Sequence, residues 1–367
     1  MLGNKNGQKV FIAMSGGVDS SVAAALLKGQ GYDAVGVFMK NWSDPVWPCP
    51  WQEDRADAMR VCLKLNIPFE TWDFTKEYKE KVVDYMVREY SVGRTPNPDV
   101  MCNKEIKFGL FFDKAMEIGA DYIATGHYAR VREVKSKNEK VKNYVLARAR
   151  YLDKDQSYFL WTLTQARLRR CLFPIGEIES KLKVREIAVE YNLPVADKKD
   201  SQGICFMGPV DVQEFIKPYV NQTIGAIITT TGQKIGEHAG LDFYTIGQRK
   251  GIGIGGTGPY YVAKKDYKAN TLVVATVTDQ TALESNSLIA TDVSFTSSNS
   301  EIPIGISPTF NVQASIRYRQ EPVPVTLERM ADDKWQVIFD RPVRAVAPGQ
   351  SVVFYQGEEL LGGGIIQ

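Results

Sequence analysis

The sequence predicts an α/β protein, in which a doubly wound parallel sheet is followed by a small mixed central domain and a C-terminal β-barrel. From residue 10 to about residue 129, short apolar or β-branched runs alternate with stretches of helical periodicity. A parallel strand pair needs a crossover that a helix supplies, so this alternation favours a parallel sheet. From about residue 225 the hydrophobic pattern changes to period two with Gly and Pro turns, which is typical of a barrel or sandwich.

Individual runs predict the elements of the first domain in order. We expect strands at KVFIAM, AVGVFM, FETWDF and DYIATGHYA, with helices over residues 21–28, 53–65 and 180–191. The charged segment VREVKSKNEKVKN is expected to be a solvated hairpin loop. The later period-two runs are TLVVATV, FNVQASIRYRQ, VPVTLER, KWQVIFD and SVVFYQ. At 367 residues the chain is long for one domain, and we place domains at residues 1–208, 209–280 and 281–367.

Composition excludes several classes of protein. Hydrophobic residues at 44% and charged residues at 24% are ordinary for globular proteins. A net charge of +2 means that any polyanion partner must meet a local basic face. No apolar run approaches the roughly 20 residues of a membrane span, and the polar start lacks a signal-peptide core, so we expect a cytoplasmic protein without a membrane partner. Five cysteines without C-x-x-C and two histidines predict neither a disulfide framework nor a metal centre.

A glycine-rich turn stands between the first strand and the first helix, in AMSGGVDSSVAAALL. It lacks the lysine of a P-loop. Gly16 and Gly17 allow positive φ and close backbone approach, so their N–H groups can point at an anion beside the helix N-terminus. Ser15 and Ser20 add hydroxyl donors, and Asp19 can cap the helix or help to hold a metal that arrives with the anion. The alternative is a tight turn that binds no ligand.

A second glycine-rich stretch, GIGIGG at residues 251–256, satisfies the pattern G-x-G-x-x-G. The residues after it predict a strand, and no βαβ unit surrounds it. We therefore reject dinucleotide binding there.

The cysteines fall into two groups by their surroundings. Cys62 and Cys171 have apolar neighbours at helical or strand spacing, and Cys49 lies in a loop rich in proline and tryptophan; packing is the favoured interpretation for all three. Cys102 follows two prolines at the expected start of a helix, beside Lys104 and Lys107, and Cys205 follows the Lys198–Lys199 pair and a glycine turn. Helix N-termini and cations lower a thiol pKa, although either thiol taken alone could be structural.

Several motifs occur together and in order across nearly the whole chain. They are SGGVDSSV, RTPNPDVMCNKEIKFG, ATGHYAR, KDQSYFL, DSQGICF, FYTIGQRKGIGIGG and IRYRQ. The first resembles the PP-loop of ATP pyrophosphatases, which cleave ATP between the α- and β-phosphates. The complete set closely resembles the bacterial and organellar tRNA-specific 2-thiouridylases.

The resemblance implies a reaction. ATP, expected with Mg²⁺, adenylates the 2-carbonyl oxygen of the wobble uridine in tRNAs for glutamate, glutamine and lysine. Cys205 then carries sulfur as a persulfide, received from a sulfur-relay protein or a cysteine desulfurase. Cys102 resolves that persulfide or closes a disulfide with Cys205. Asp99 matches the family's acid/base position, although it can instead cap the helix expected to begin near Cys102.

The resemblance also implies binding residues. The nucleotide-binding positions are Ala13, Met14, Ser15, Gly16, Gly17, Val18, Asp19, Ser20, Met39 and Gly126. The tRNA-contacting positions are Asn97, Pro98, Asp99, Lys154, Asp155, Gln156, Arg317 and Tyr318. Arg249 and Lys250, on the second glycine-rich stretch, can approach a phosphate backbone, whereas His127 can be a packed residue at a strand end.

Two other functions remain open at this stage. A different PP-loop enzyme, a synthetase or amidotransferase, would use an amine as nucleophile and would need no paired cysteines. A non-catalytic RNA-binding protein would bind tRNA and release no pyrophosphate.

Overall fold

The computed structural model describes residues 7–43, 51–135, 142–200, 212–255, 258–296 and 309–367. The helices are α1 Val18–Gly29, α2 Trp51–Leu65, α3 Thr75–Tyr78, α4 Asp84–Ser91, α5 Pro98–Met101, α6 Phe111–Glu117, α7 Gln165–Leu168, α8 Lys181–Glu190 and α9 Val212–Ile216. π-Helical segments at Lys79–Val83 and Cys102–Leu110 connect α3 to α4 and α5 to α6. Single 3₁₀ turns occur at Leu152–Lys154, Ser157–Leu160, Lys217–Tyr219, Leu241–Phe243 and Gln280–Leu283.

The strands belong to three sheets. They are β1 Lys9–Met14, β2 Asp33–Lys40, β3 Phe69–Asp73, β4 Tyr122–Thr125, β5 Ala129–Lys135, β6 Lys142–Arg148, β7 Cys171–Leu172, β8 Gly225–Thr229, β9 Lys234–His238, β10 Tyr261–Asp266, β11 Thr271–Ala275, β12 Glu284–Phe295, β13 Thr309–Ser315, β14 Val323–Arg329, β15 Trp335–Arg344, β16 Ser351–Gln356 and β17 Glu359–Ile366. The predicted period-two runs correspond to β11 and to β13 through β16.

The first sheet is parallel throughout, with the order β3-β2-β1-β4-β7. Successive side chains of β1 enter opposite cores, as the period of a strand requires. Ile12 joins a core with α1, α2 and α8, while Phe11 joins the core that contains Met86 and Phe111. Helices therefore cover both faces, which confirms the predicted doubly wound α/β fold.

Two further sheets follow. The central one has the order β10-β11-β8-β9, with β8 and β11 parallel. The C-terminal strands β12-β15-β14-β13-β16-β17 close into an antiparallel barrel through the pairing of β12 with β17. The predicted C-terminal barrel is thus confirmed.

The segment DYIATGHYA is split between two sheets, whereas the sequence predicted one strand. Residues 122–125 are β4 in the parallel sheet, residues 126–128 belong to no strand, and Ala129 begins β5, which pairs with β6. The break falls at Gly126 because this residue closes against α1: a Cβ there would lie 2.6 Å from the Ser20 backbone nitrogen. The β5–β6 hairpin then joins the barrel sheet through the register pair Leu146 and Leu360.

The described residues of the charged segment VREVKSKNEKVKN, 131–135 and 142–143, belong to β5 and β6, so the expectation of a solvated loop was wrong for them. Arg132 of β5 pairs with Glu358 at 2.9 Å, and the neighbouring Arg130 pairs with the same carboxylate at 3.0 Å. These charges bind the hairpin to the barrel end. Within the described ranges no helix has the length and hydropathy of a membrane span.

Candidate functional site

The glycine-rich turn lies at the carboxyl end of β1, where its serines bond to one another and to the backbone. The Ser15 N–H donates to Ser20 Oγ at 3.1 Å, and the Ser20 hydroxyl donates to the Gly17 carbonyl at 3.2 Å. The Ser21 hydroxyl donates to the same carbonyl at 2.8 Å. The N-cap of α1 is Gly17, which has no side chain that could cap the helix, and Asp19 is already the second residue of the helix. Asp19 is therefore not the cap, and the first N–H groups of α1 face the turn.

Two glycines allow other backbone segments to approach this turn. Gly16 has φ +74°, and a Cβ on it would lie 2.2 Å from the carbonyl oxygen of Asp54 in α2. Gly126 follows β4, and a Cβ there would lie 2.6 Å from the Ser20 nitrogen. Both approaches involve backbone, which cannot rotate away as a side chain can. The turn is thus a backbone cradle formed by β1, α1, α2 and the residue after β4.

Other residues implied in nucleotide binding line the same edge of the sheet. Ala13 and Met14 are the last, buried residues of β1, and Val18 is the buried first residue of α1. Met39 is half-buried near the carboxyl end of the adjacent strand β2, in register with Trp72. Ligands of such sheets bind outside the carboxyl ends of strands.

Asp19 in the first turn of α1 has two strong donors. The Tyr128 hydroxyl donates to Asp19 Oδ1 at 2.7 Å, and Lys181 Nζ lies 2.8 and 2.9 Å from the two carboxylate oxygens. Burial and the adjacent carboxylate raise the pKa of Tyr128, so the phenol keeps its proton. Lys181 also contacts Asp200 at 2.8 Å.

Cations that the sequence analysis missed surround the turn. Lys198 Nζ contacts the carboxylates of Asp54 and Asp57 at 2.7 and 2.6 Å, and it donates to the Gly16 carbonyl at 3.2 Å. Burial opposes the charge on Lys198, but these carboxylates raise its pKa above the ordinary value. Lys181 and Lys198 supply the positive charge that the turn itself lacks. The sequence does show Lys198, in the lysine pair before Cys205, but the pattern suggested that these lysines lower the pKa of the Cys205 thiol and not that they bind the turn.

Asp200 forms ion pairs with two further basic side chains near the turn. Lys154 Nζ lies 3.0 Å from it and Arg185 Nη2 lies 3.1 Å from it. Although burial acts in the opposite direction, hydrogen bonds from Lys181 and Lys154 hold the pKa of Asp200 below its ordinary value. Asp200 therefore stays ionised and fixes three basic side chains beside the turn.

The loop before Cys102 differs from expectation in two ways. Helix α5 begins at Pro98, and its N-cap is Asn97, whose Oδ1 accepts from the Val100 N–H at 3.2 Å. The alternative that Asp99 caps the helix is therefore wrong. Cys102 is the first residue of the π-helical segment, but this segment continues α5, so the free helix N-terminus that was expected at the thiol lies at Pro98 instead. Its side chain is buried, with 1% exposure.

Asp99 and His127 lie near one basic side chain. Burial raises the pKa of Asp99, and Lys107 acts against this rise. Burial, together with the charge of Lys107, lowers the pKa of His127 well below its ordinary value. His127 Nδ1 lies 2.7 Å from the Thr125 hydroxyl, and its ring is 5.8 Å from that of Phe108 in the π-helical segment.

These contacts place Asp99, Lys107 and His127 next to the cradle. His127 directly follows Gly126, which touches the first turn of α1. The cradle and Asp99 therefore lie at the same edge of the parallel sheet, where the strands end. Gly126 and His127, which are consecutive in the chain, connect them. Cys205 and Cys49 lie outside the described residues. Cys62 and Cys171 are buried as predicted, and burial raises the pKa of Cys62 to about 12.

Part of the turn implied in tRNA contact has internal structural roles. Asp155 Oδ1 accepts from the Ala149 N–H at 2.9 Å, and Asp155 Oδ2 accepts from the Ser157 hydroxyl at 2.9 Å. Burial raises the pKa of Asp155, and these hydrogen bonds oppose the rise. Gln156 Oε1 accepts from the Tyr128 N–H at 3.0 Å. Asp155 therefore holds the turn to the end of β6, and Gln156 holds it to Tyr128, between β4 and β5.

A cavity of about 600 Å³ joins this turn to the barrel. Lys154 and Arg317, which the resemblance implied separately, both line it. Arg317 Nη2 is held by the Arg344 carbonyl at 2.8 Å. Tyr318 packs on Phe159, with ring centroids 4.6 Å apart. The structure thus brings two predicted tRNA-contacting segments to one cavity, which Asp155 also lines, although the side chains of Asp155 and Gln156 are engaged in the internal hydrogen bonds above.

Comparisons with known proteins identify the family. Family profiles match residues 8–209 as a tRNA methyl transferase HUP domain, residues 213–276 as a tRNA methyl transferase PRC-barrel domain, and residues 285–366 as an aminomethyltransferase beta-barrel domain. The tRNA-specific 2-thiouridylase MnmA of Listeria welshimeri is 48% identical over 99% of this chain and 95% of its own. The tRNA-specific 2-thiouridylase MnmA 2 of Geobacillus kaustophilus is 50% identical over 98% and 94%.

Among solved structures, the U34-tRNA thiolase NcsA of Methanococcus maripaludis is 18% identical. The match covers 59% of this chain and 65% of that one, with a TM-score of 0.36. The full-length identities near one half, with the motifs and the cradle they form, lead to one conclusion: the chain belongs to the family of tRNA-specific 2-thiouridylases.

Proposed function

We propose that this protein replaces the 2-oxygen of the wobble uridine in tRNAs for glutamate, glutamine and lysine with sulfur, at the expense of ATP. The observation that carries the proposal is the junction of two sites at one sheet edge. The first site is the backbone cradle with Lys181 and Lys198, and the second is the buried carboxyl of Asp99 in the helical segment that continues to Cys102. Gly126 contacts the cradle, and the next residue, His127, packs on this helical segment. Relatives named as 2-thiouridylases match along almost the whole chain.

The cradle suits the activation step. The α1 N–H groups, with Lys181 and Lys198, would stabilise the charge of the phosphates. The uridine 2-oxygen attacks the α-phosphorus, the bond to the β-phosphate oxygen breaks, and pyrophosphate leaves. The base then carries AMP as a leaving group on C2.

Asp19 is the residue that would hold magnesium. Its oxygens are now bound by Lys181 Nζ, so a cation at Asp19 would replace that contact, while Lys181 keeps Asp200 as a second partner. Magnesium bound there would neutralise phosphate charge. Carboxylate and phosphate oxygens are its preferred ligands.

The sulfur step uses the two cysteines of the motifs. The outer sulfur of a Cys205 persulfide attacks C2, and the C–O bond to AMP breaks. The Cys102 thiolate then attacks the Cys205 sulfur, so that a Cys102–Cys205 disulfide forms and the new thiocarbonyl keeps the transferred sulfur. Asp99, whose pKa is raised by burial, would exchange a proton with the reacting base.

The buried position of Cys102 sets a condition on this chemistry. With 1% exposure, its thiol is shielded from solvent, and access to it from solvent requires a movement of the segment around α5. We infer that tRNA binding changes the position of this segment. A sulfur-relay protein or a cysteine desulfurase is the proposed source of the persulfide.

The proposal is tested by thiolation of purified tRNA with ATP and a persulfide donor. Cys102→Ser and Cys205→Ser should each abolish 2-thiouridine formation, while the packed Cys62→Ser and Cys171→Ser serve as matched controls. Pyrophosphate should still form in both catalytic variants, whereas AMP, which leaves when the persulfide attacks C2, should form in Cys102→Ser and not in Cys205→Ser. Full thiolation by either catalytic variant would remove the sulfur mechanism, and tRNA binding without AMP release would favour a non-catalytic RNA-binding protein.

A further inference from the structure

The segment that leads to Asp99 and Cys102 is held from outside its own domain. Residues 93–96, called the connector here, join α4 to α5. From the central domain, Lys265 Nζ donates to the Gly93 carbonyl at 2.6 Å and to the Tyr244 carbonyl at 2.9 Å. The Thr95 and Thr245 hydroxyl oxygens lie 2.9 Å apart.

The barrel holds the other side of the connector. The Thr95 N–H donates to the Pro348 carbonyl at 2.8 Å. Gln350 Nε2 donates to the carbonyls of Thr95 and Pro96 at 2.8 and 3.0 Å. The polar backbone of the connector is thus bound by two other domains, immediately before the residues of the proposed reaction.

Lys265 is an unusual residue for this task. Its neighbour Lys264 on β10 is 68% exposed and pairs with Asp266, as is common for a surface strand. The Lys265 amine is instead turned into the domain junction. Burial lowers the pKa of Lys265 to about 8, against the opposing charge of Asp242. A desolvated amine is costly unless hydrogen bonds replace its water, and the two carbonyls provide those bonds.

The surrounding contacts leave little freedom. The Tyr267 hydroxyl donates to Asp242 Oδ1 at 2.8 Å. Gly93 has φ +77°, and a Cβ on it would lie 2.1 Å from the Tyr267 hydroxyl. Tyr267, the residue that follows β10, therefore packs closely against the connector beside the Lys265 contact.

We propose that Lys265 is a positioning residue, which couples the central domain to the connector and so to the helical segment that carries Asp99 and Cys102. The proposal rests on the proposed function for its catalytic consequence. The placement of the central domain then sets the position of this helical segment. A displacement near 1 Å can reduce a rate by about 10²-fold. Loss of the contacts that Lys265 and Thr245 make with the connector, called the latch from here on, should therefore lower kcat.

The main experiment compares Lys265→Met with Lys264→Met in the full-length protein. Lys265→Met keeps an unbranched apolar stem and removes the donors, so kcat for tRNA thiolation should fall at least about tenfold, with KM for tRNA changed less than about threefold. Amide hydrogen exchange of residues 93–102 should rise in the same variant, while exchange in β1 and α1 stays unchanged. Lys264→Met should match the wild type in every measurement.

A second pair of variants covers the case in which Lys265→Met does not fold. Thr245→Val removes the hydroxyl bound to Thr95 at nearly constant volume, and Thr245→Ser keeps it. Faster exchange of residues 93–102 in the valine variant, with rescue by serine, supports the latch. Wild-type exchange in both Lys265→Met and Thr245→Val overturns it. If the wild-type protein forms no 2-thiouridine, the proposed function fails, and the exchange comparison still decides on the latch.

Discussion

Replacing Gly16 by alanine tests whether the cradle is closed by backbone contact. The residue has φ +74°, and the added Cβ would lie 2.2 Å from the Asp54 carbonyl oxygen, well inside the ~3.5 Å of ordinary contact. The left-handed conformation costs about 1–2 kcal/mol, and the forced displacement costs about 1–3 kcal/mol more. Gly16→Ala should therefore destabilise the protein by about 2–5 kcal/mol.

Gly119→Ala is the matched control, because Gly119 has φ +87° and open space around its Cβ position. Gly119→Ala should lower the free energy of unfolding only by the cost of the left-handed backbone conformation, about 1–2 kcal/mol. Urea unfolding of both variants gives the comparison, and equilibrium dialysis gives ATP affinity, which should fall at least about tenfold in Gly16→Ala because Asp54 and Lys198 must move. Equal destabilisation by the two substitutions would refute the closed cradle.

Three other predictions concern charge. Lys181→Met should lower ATP turnover at least about tenfold, whereas Lys183→Met on the same helix, exposed and paired with Glu186, should not; equal rates would contradict the role of Lys181. Because burial raises the pKa of Asp99 against Lys107, the acidic limb of kcat/KM should lie above the ordinary aspartate range and rise further in Lys107→Met; an unmoved limb would exclude Asp99. Burial and the charge of Lys107 lower the pKa of His127 in the folded protein. As the pH falls below about 6.5, this histidine therefore binds a proton in the unfolded chain but not in the folded one. Stability in urea should decrease over that range, less steeply in His127→Gln, and identical slopes would contradict a buried neutral imidazole.

Much of the first domain could be predicted because its signals are local. Apolar runs of strand length, the glycines at residues 16 and 17 and the helical pattern after them define β1 and α1, and the structure has both. The cap of α5 was harder, since Asn97 and Asp99 are both good caps and only the backbone geometry decides between them.

What failed to be predicted depends on distant parts of the chain. The contact between Lys198 and the Gly16 carbonyl spans 182 residues, and no local pattern encodes it. Lys181 likewise reads as an exposed residue in a helix, until α8 packs beside α1 and brings it to Asp19. The split of residues 121–129 between two sheets also required knowledge of the barrel, whose strand β17 accepts the hairpin.

That hairpin decides how the molecule can be divided. Glu359 and Leu360 at the start of β17 find their ladder partners in Ala147 and Leu146, residues more than 200 positions earlier. A barrel produced alone would present this short stretch as a bare sheet edge, with unmet amides and an apolar side chain, a template for aggregation. We expect the C-terminal module to stay soluble only when the hairpin accompanies it, grafted on or supplied as a peptide.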